Sequence, residues 1–292
     1  MAEKKQLGTK AQIRAEKNRE GRIARAIFLA IILLAAAISG YFGYTILDSS
    51  PSLSFSGPTL QFKPENPNPE LKAAIIDELS LTSPNQTFVQ AATDIIEQAN
   101  YSVDYYSGEK VTVDLFRNLP TLGYGIIILR VHSGAVGLEG TQKIFSVDLS
   151  TSELYSSTKY VYEQLTGQLD KDLVTGLGQY YFGIGSGFVT SSMKGKFQNT
   201  TVIMMGCQGL TSTDMAKAFI EKGAKAYISW SGSVSVSHTD QATITLLQHL
   251  ILQKQSIKQA GENTTEELGL DPIYNSTLGY YPIGSGNYTI PR

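Results

Sequence analysis

The only cysteine of the 292-residue chain, Cys207, follows a run of strand-forming residues in TTVIMMGCQGL, residues 200–210. One of the three histidines, His132, follows a second such run in YGIIILRVHSG, which begins at Tyr124. A cysteine nucleophile needs a nearby imidazole that takes its proton or forms an ion pair with it. Glycines beside both residues allow the backbone to approach a substrate closely. The two segments therefore predict a His132–Cys207 pair with Cys207 as the nucleophile.

The same two residues also have a structural interpretation. A lone cysteine at the end of a strand is more often a small buried hydrophobic residue than a nucleophile, and a lone histidine there is usually structural. The catalytic interpretation gains weight because α/β sheets bind ligands at the carboxyl ends of their strands, where both residues are expected. A helix after Cys207 would also direct the positive end of its dipole towards a thiolate.

The elements that must position this pair alternate along the chain. Short apolar runs typical of strands begin at Lys72, Tyr101, Tyr124, Thr200 and Lys225. Segments with helical spacing separate them, such as QTFVQAATDIIEQAN and TDMAKAFIEKGA. Strands that alternate with helices of about 10–15 residues indicate an α/β fold. We expect a three-layer αβα sandwich with a mostly parallel sheet.

Three further segments lie between His132 and Cys207. IFSVDL, residues 144–149, is expected to form a strand. ELYSSTKYVYEQLTGQLDKDL, residues 153–173, is expected to be helical. YFGIGSGF, residues 181–188, is Gly-rich but lacks the lysine and the spacing of a phosphate-binding loop, and is expected to be a flexible loop near the cleft.

The order and placement of these motifs resemble the caspase-like superfamily of cysteine peptidases, which includes caspases, legumains, clostripain, gingipains, separases and CHAT domains. Its pattern is a hydrophobic strand that ends in His with a nearby Gly, then a second strand that ends in a Cys block such as A-C-x-G. IIILRVHSG and VIMMGCQG match these segments. DMAKAFIEKGAKAYISW continues the likeness, which covers about residues 72–260.

The resemblance implies a role for each residue of the candidate site. His132 would be the general base or ion-pair partner, and Cys207 the nucleophile. The N–H groups of Cys207 and Gly134 would form the oxyanion hole. Three positions depart from the family pattern. Ser133 stands where the family usually has Gly directly after the His, Met205 where some Arg-specific members have an acidic residue, and Gly206 replaces the usual Ala, which we expect to be a mild change.

Other residues near the predicted strand ends are candidates for a substrate pocket. These are Met205, Gln208, Trp230, His238 and Asp240. A packed core indole is an equally good interpretation of Trp230, and a helix N-cap at Asp240 or Thr239 is favoured over a role in specificity. Three carboxylates near strand ends have no identifiable partner, namely Asp77, Glu78 and Asp104. No Cys/His cluster has metal-ligand spacing, so the sequence predicts neither a metal site nor a cofactor.

Residues 26–47, AIFLAIILLAAAISGYFGYTIL, are 22 uncharged residues. As a helix this stretch is long enough to cross a hydrocarbon core of about 30 Å. Residues 1–25 hold eight Lys or Arg against three Glu, which by the positive-inside rule places the N-terminus in the cytoplasm. We therefore expect a single-pass protein of the cell membrane, anchored in the lipid bilayer through residues 26–47, with its C-terminal domain extracellular. A cleaved signal peptide is the weaker alternative.

The rest of the chain divides by composition. Residues 48–70 are rich in Pro and Ser and indicate a stalk, residues 71–262 form the predicted caspase-like domain, and residues 263–292 are a C-terminal extension that packs on the domain or continues as a tail. Six N-x-[ST] sequons follow the apolar segment and favour a glycoprotein: Asn85, Asn100, Asn199, Asn263, Asn275 and Asn287. The net charge of −2 indicates no nucleic-acid partner.

Together these features predict a membrane-anchored extracytoplasmic cysteine peptidase that acts on a peptide or protein substrate. Two alternatives stay open. The first is a catalytically inactive caspase-like module that binds peptides or cell-surface ligands. The second is a different α/β module, in which Cys207 is buried and lies far from His132.

Overall fold

The computed structural model describes residues 71–137, 144–174 and 176–291. Within these residues the chain forms an α/β fold with two sheets. The larger sheet has six strands in the order β2–β1–β3–β8–β9–β10, of which the first five are parallel and β10 is antiparallel. Its strands are β1 Leu71–Asp77, β2 Tyr101–Ser107, β3 Tyr124–Arg130, β8 Thr201–Met204, β9 Ala226–Trp230 and β10 Leu278–Tyr281. The predicted α/β class and mostly parallel sheet are confirmed.

A second, antiparallel sheet lies between β3 and β8 in the sequence. Its four strands follow the order β4–β5–β7–β6. They are β4 Ser133–Gly137, β5 Ile144–Leu154, β6 Leu169–Leu173 and β7 Tyr180–Ile184. Two residues separate the end of β3 from the start of β4, so His132 lies in the short link between the two sheets.

Seven α-helices connect the described strands. They are α1 Gln86–Glu97, α2 Val113–Asn118, α3 Val161–Leu165, α4 Ser186–Ser191, α5 Asp214–Glu221, α6 Val236–Leu247 and α7 Ile257–Leu268. Helix α1 illustrates why these segments are helical. The Asn85 side chain caps it by accepting a hydrogen bond from the Phe88 N–H, and its apolar residues recur on one buried face. A π-helical turn, Gln248–Leu252, extends α6.

The larger sheet is covered on both faces by separate apolar clusters. In β1, Ala73 and Ile75 belong to one cluster, whereas Ala74 and Ile76 belong to the other. Helices α1, α6 and α7 contribute to the first cluster. Helices α2, α4 and α5, together with β5, β6 and β7, contribute to the second. Burial on both faces explains why inner parallel strands such as β3 and β8 are continuous apolar runs in the sequence.

Two expectations between His132 and Cys207 were wrong. Residues 153–173 are helical only at α3, and their last five residues form β6, which pairs with β7. Residues 181–188 are not a loop but most of β7 and the start of α4. Only Leu169 is buried in β6, so the pairing of all five residues with β7, rather than a local sequence pattern, fixes this segment as a strand.

The C-terminal segment packs on the domain. Strand β10 pairs with β9, with Leu278 opposite Trp230. Ile290 is buried in the apolar cluster to which α1, α6 and α7 contribute. Because β10 is antiparallel, its first residue lies at the carboxyl edge of the parallel strands. The expected membrane span, residues 26–47, lies outside the described residues. Among the described helices, none is both long enough and apolar enough to cross a membrane.

Candidate active site

His132 and Cys207 leave the large sheet at equivalent positions of adjacent strands. Strands β3 and β8 pair in parallel with Leu129 opposite Met204, and the Met205 N–H donates to the Leu129 carbonyl at 2.9 Å. His132 lies three residues after Leu129, and Cys207 lies three residues after Met204. Since neighbouring strands are about 4.8 Å apart, the two segments emerge side by side at the carboxyl edge.

The segments that carry His132 and Cys207 also touch each other. The Ser133 hydroxyl donates a hydrogen bond to the Cys207 carbonyl at 2.5 Å. A Cβ on Gly206 would lie 2.5 Å from the Val131 carbonyl oxygen and would collide with the Ser133 hydroxyl. The glycine is therefore required by the close approach of the two segments. Ala at this position is a severe change rather than the mild one expected from sequence.

Glu78 holds the His132 imidazole. The Glu78 side chain is 0% exposed, and its Oε2 accepts the His132 backbone N–H at 2.8 Å. The same Oε2 lies 2.8 Å from His132 Nδ1, while 28% of the His132 side chain stays exposed. A carboxylate at Nδ1 selects the tautomer with the proton there and leaves Nε2 free to act as a base.

The sequence alone identifies no partner for Glu78. The available signal was its position directly after β1, the strand that pairs with β3 along its length. Because parallel strands end at one edge, a carboxylate after β1 and an imidazole after β3 are placed as neighbours.

Cys207 is half-buried and lies beside the loop that follows β9. Its Sγ accepts the Val234 N–H at 3.4 Å and lies 3.6 Å from the Val234 carbonyl oxygen. The Cys207 side chain packs against a small apolar cluster formed by Trp230, Val234 and Ala242. The backbone N–H gives a thiolate one hydrogen-bond donor, which stabilises the charged form.

The strand register indicates which backbone N–H groups face the site. Gly134 is opposite Asp148 in the β4–β5 ladder, and the His132 carbonyl accepts the Ser150 N–H at 2.9 Å. Alternate residues of a strand face the same neighbour, so the Gly134 N–H is directed at β5. The Ser133 N–H points the other way. Ser133 therefore replaces Gly134 as the better candidate for the second oxyanion donor.

The first oxyanion donor suggested by the resemblance stays available. Within the part of the chain that the structure describes, the Cys207 N–H has no hydrogen-bond acceptor. Its neighbours on either side are bonded: the Gly206 N–H approaches the Met204 sulfur at 2.9 Å, and the Gln208 N–H donates to the Gly232 carbonyl at 2.8 Å. The N–H groups of Cys207 and Ser133 are thus the two candidate oxyanion donors.

Four of the five pocket candidates are buried. Met205 lies in the apolar cluster to which α1, α6 and α7 contribute. Trp230 donates a hydrogen bond from Nε1 to the Thr239 hydroxyl at 2.9 Å. The His238 ring packs on Trp230 with centroids 5.3 Å apart. These buried side chains expose little surface that a substrate could contact. Gln208 is half-buried, and its Nε2 donates to the Ser233 hydroxyl at 3.0 Å.

The expected N-cap at Asp240 or Thr239 is wrong. Helix α6 begins at Val236, and Ser235 occupies the N-cap position. The Asp271 carboxylate accepts both the N–H and the hydroxyl of Ser235, at 2.8 and 2.7 Å. Since Asp271 fixes the chain there, the helix starts earlier and Thr239 and Asp240 turn inward.

Asp240 and Asp77 share a buried guanidinium. Arg130 is fully buried and donates from Nε to Asp240 Oδ1 and from Nη1 to Asp77 Oδ1, both at 2.8 Å. Burial raises the pKa of Asp77, against the opposing effect of the Arg130 hydrogen bond and charge. Asp77 thus has the partner that the sequence did not reveal. Asp104 accepts the Tyr124 hydroxyl at 2.6 Å.

The antiparallel sheet carries a group of carboxylates near this site. Burial, followed by the neighbouring Asp170, raises the pKa of Asp148 to about 8. Burial likewise raises the pKa of Asp172, which accepts the Ser150 hydroxyl at 3.1 Å. Within residues 71–137, 144–174 and 176–291, no three His, Cys, Asp or Glu side chains are placed to hold a metal ion.

The sequons differ in their surroundings. Asn100, Asn199, Asn275 and Asn287 are exposed. Asn85 is half-buried, and its Nδ2 donates to Asp240 Oδ2 at 2.9 Å while its Oδ1 caps α1. The Asn263 Nδ2 donates to Gln255 Oε1 at 3.0 Å.

No protein-family model matches this chain, and no curated protein matches it either. The site itself consists of a buried carboxylate on an imidazole and a thiol at the matching position of the next strand, with two candidate amide donors on the segments that carry them.

Proposed function

We propose that the chain is a cysteine peptidase in which Glu78, His132 and Cys207 act as one unit. The observation that carries the proposal is the buried Glu78 carboxylate 2.8 Å from His132 Nδ1, at the strand edge where Cys207 also emerges. A nucleophile, a base and a group that orients the base are the parts that covalent acyl transfer requires.

The reaction proceeds in two halves. His132 Nε2 takes the Cys207 thiol proton, and the thiolate attacks the carbonyl carbon of the scissile peptide bond. The N–H groups of Ser133 and Cys207 stabilise the resulting oxyanion. The protonated His132 then gives its proton to the leaving amine, which produces the thioester and the first product.

Water completes the cycle. His132 Nε2 takes a proton from a water molecule, which attacks the thioester carbonyl. Collapse of the second oxyanion breaks the C–S bond, releases the carboxylic acid product and returns the proton to Cys207. In each half, Glu78 stabilises the imidazolium that forms, because its charge lies against Nδ1.

The fold agrees with the resemblance to the caspase-like superfamily. Helices and strands on both faces of the parallel sheet support a three-layer αβα arrangement. The His segment and the Cys segment follow adjacent strands in the order of the family pattern. We propose that this domain is extracytoplasmic, on a single-pass anchor formed by residues 26–47.

An inactive binding module is the competing function, and one observation favours it. Cys207 Sγ lies 3.6 Å from the Val234 carbonyl oxygen, a contact in which a neutral thiol donates.

A peptide library separates the two functions. The full-length protein in detergent is incubated with peptides of mixed sequence, and cleavage products are identified by mass spectrometry. We expect cleavage by the wild type, none by Cys207→Ala, and a peptidyl electrophile bound covalently at Cys207. Peptide binding without cleavage and without an adduct would establish the binding module instead.

A further inference from the structure

Helix α6 contacts both strands of the candidate active site at matching positions. The Thr239 hydroxyl donates to the Met205 carbonyl at 2.9 Å, and Met205 lies two residues before Cys207. The Asp240 carboxylate accepts the Arg130 Nε at 2.8 Å, and Arg130 lies two residues before His132. Two consecutive residues of one helix therefore hold the two strands just before the base and the nucleophile emerge.

The same guanidinium fixes the strand that carries Glu78. Asp77 is the register partner of Arg130 in the β1–β3 ladder and accepts its Nη1 at 2.8 Å. Arg130 Nη2 reaches Asp240 Oδ2 and the Ser83 carbonyl, both at 2.9 Å. Since Glu78 directly follows Asp77, the ends of β1 and β3 are locked together one residue before the Glu78–His132 contact.

The buried charges of this cluster need a reason other than stability. Arg130 and Asp77 are 0% exposed, and the Asp240 side chain is 7% exposed. Desolvation of such groups largely cancels their attraction, and well-packed apolar side chains often serve stability as well. What apolar packing does not supply is a fixed direction and distance between strand ends. The charged fork of Arg130 supplies both.

We propose that Thr239 and Asp240 are positioning residues that set the spacing between His132 and Cys207. The inference rests on the proposed peptidase function. Neither side chain belongs to the reacting groups: Thr239 acts through the Met205 carbonyl, and Asp240 acts through Arg130. We call this pair of contacts the α6 clamp.

Loss of either contact releases one strand end while the sheet stays paired. A shift of about 1 Å between reacting groups costs about 100-fold in rate. The effect belongs to catalysis rather than to substrate binding, because the clamp lies behind the strand ends. We therefore expect a fall of about 10- to 100-fold in turnover with little change in KM.

The test compares Thr239→Val and Asp240→Asn with Thr243→Val in the full-length protein. Thr243 lies one turn further along α6 and is buried, so its substitution removes a hydroxyl of the same size from the same helix without touching the clamp. The rate of Cys207 alkylation by iodoacetamide is followed against pH, and hydrolysis of the best-cleaved library peptide is measured. We expect the clamp variants to raise the pH midpoint of alkylation and lower turnover, and Thr243→Val to change neither.

A double variant distinguishes a specific effect on the position of His132 from a general loss of packing around Cys207. In the His132→Ala background, Thr239→Val should cause no further change in the alkylation profile, because there is no imidazole left to position. Equal effects in both backgrounds, or clamp variants that behave like Thr243→Val, would overturn the inference. If Asp240→Asn does not fold, Thr239→Val decides alone. If wild-type alkylation is indifferent to His132→Ala, the peptidase proposal fails, and the clamp falls with it.

Discussion

The Glu78 carboxylate lies fully buried 2.8 Å from Nδ1 of His132, and the same oxygen accepts the His132 backbone N–H. Two contacts to one oxygen fix both the position and the rotation of the imidazole. The residues are 54 positions apart, and only the pairing of β1 with β3 brings them together. This contact orients the imidazole of a histidine that lies at a strand end.

Replacing Glu78 with Gln should lower peptidase turnover by about 10- to 100-fold, a typical cost for losing the group that orients a functional histidine. The amide keeps the shape and the hydrogen bond but lacks the charge that stabilises the imidazolium. Peptide hydrolysis under saturating substrate measures the change. Glu109→Gln, at an exposed glutamate, is the matched control and should leave turnover unchanged. Full turnover in Glu78→Gln would exclude an electrostatic role for this carboxylate.

Gly206→Ala should destabilise the protein by about 1–3 kcal/mol, the usual cost of forcing an extra group into a packed site. The new Cβ would push on Val131 and Ser133, so the His132 segment must move and Cys207 alkylation should lose its dependence on His132. Gly261→Ala is the control, because a Cβ there meets nothing within 4 Å inside α7. It should stabilise the protein by about 0.5–1 kcal/mol. Denaturant unfolding measures both, and a neutral Gly206→Ala would contradict the close approach.

Asp148→Asn should remove part of the pH dependence of stability. The pKa of Asp148 is about 8 in the folded protein, above its unfolded value of about 3.9. The folded state therefore binds more protons than the unfolded state between these values, and the free energy of unfolding falls as pH rises through that window. The loss should be of the order of a few kcal/mol. Denaturant unfolding at pH 5 and pH 8 measures it, with the exposed Asp94→Asn as control. An unchanged slope in Asp148→Asn would refute the raised pKa.

Asn85 should stay unmodified when the protein is made in a host that attaches N-glycans. Its Nδ2, the atom that a glycan would join, donates to Asp240, and its Oδ1 caps α1. Asn100 and Asn287 are exposed and should carry glycans if the domain is extracytoplasmic. Glycopeptide mapping checks each site. High occupancy at Asn85 in folded, active protein would show that its contact with Asp240 is dispensable.

The parallel strands could be predicted from sequence because their burial on both faces leaves continuous apolar runs, as in β3 and β8. The strands of the second sheet could not be predicted in this way. In β6 the sequence LDKDL has three consecutive charged residues, which point alternately to the two faces, and in β7 Gly183 interrupts the apolar run. Such strands have a weak local signal, since cross-strand contacts rather than composition hold them.

The residues of the candidate site likewise differ in how much local sequence signal they have. His132 and Cys207 were predicted because each follows an apolar strand, which is a local signal. The roles of Glu78 and Arg130 depend on which strands are neighbours, and a single sequence does not state that. The start of α6 was misplaced because Asp271, from the far end of the chain, anchors Ser235.

The pH dependence of Cys207 alkylation by iodoacetamide, compared between the wild type and His132→Ala, shows whether His132 activates Cys207. We expect a wild-type midpoint well below about 8.5, the ordinary value of a free thiol, and a higher midpoint in His132→Ala. A thiol that resists alkylation, or a profile that is the same in both proteins, would contradict the claim that His132 activates Cys207.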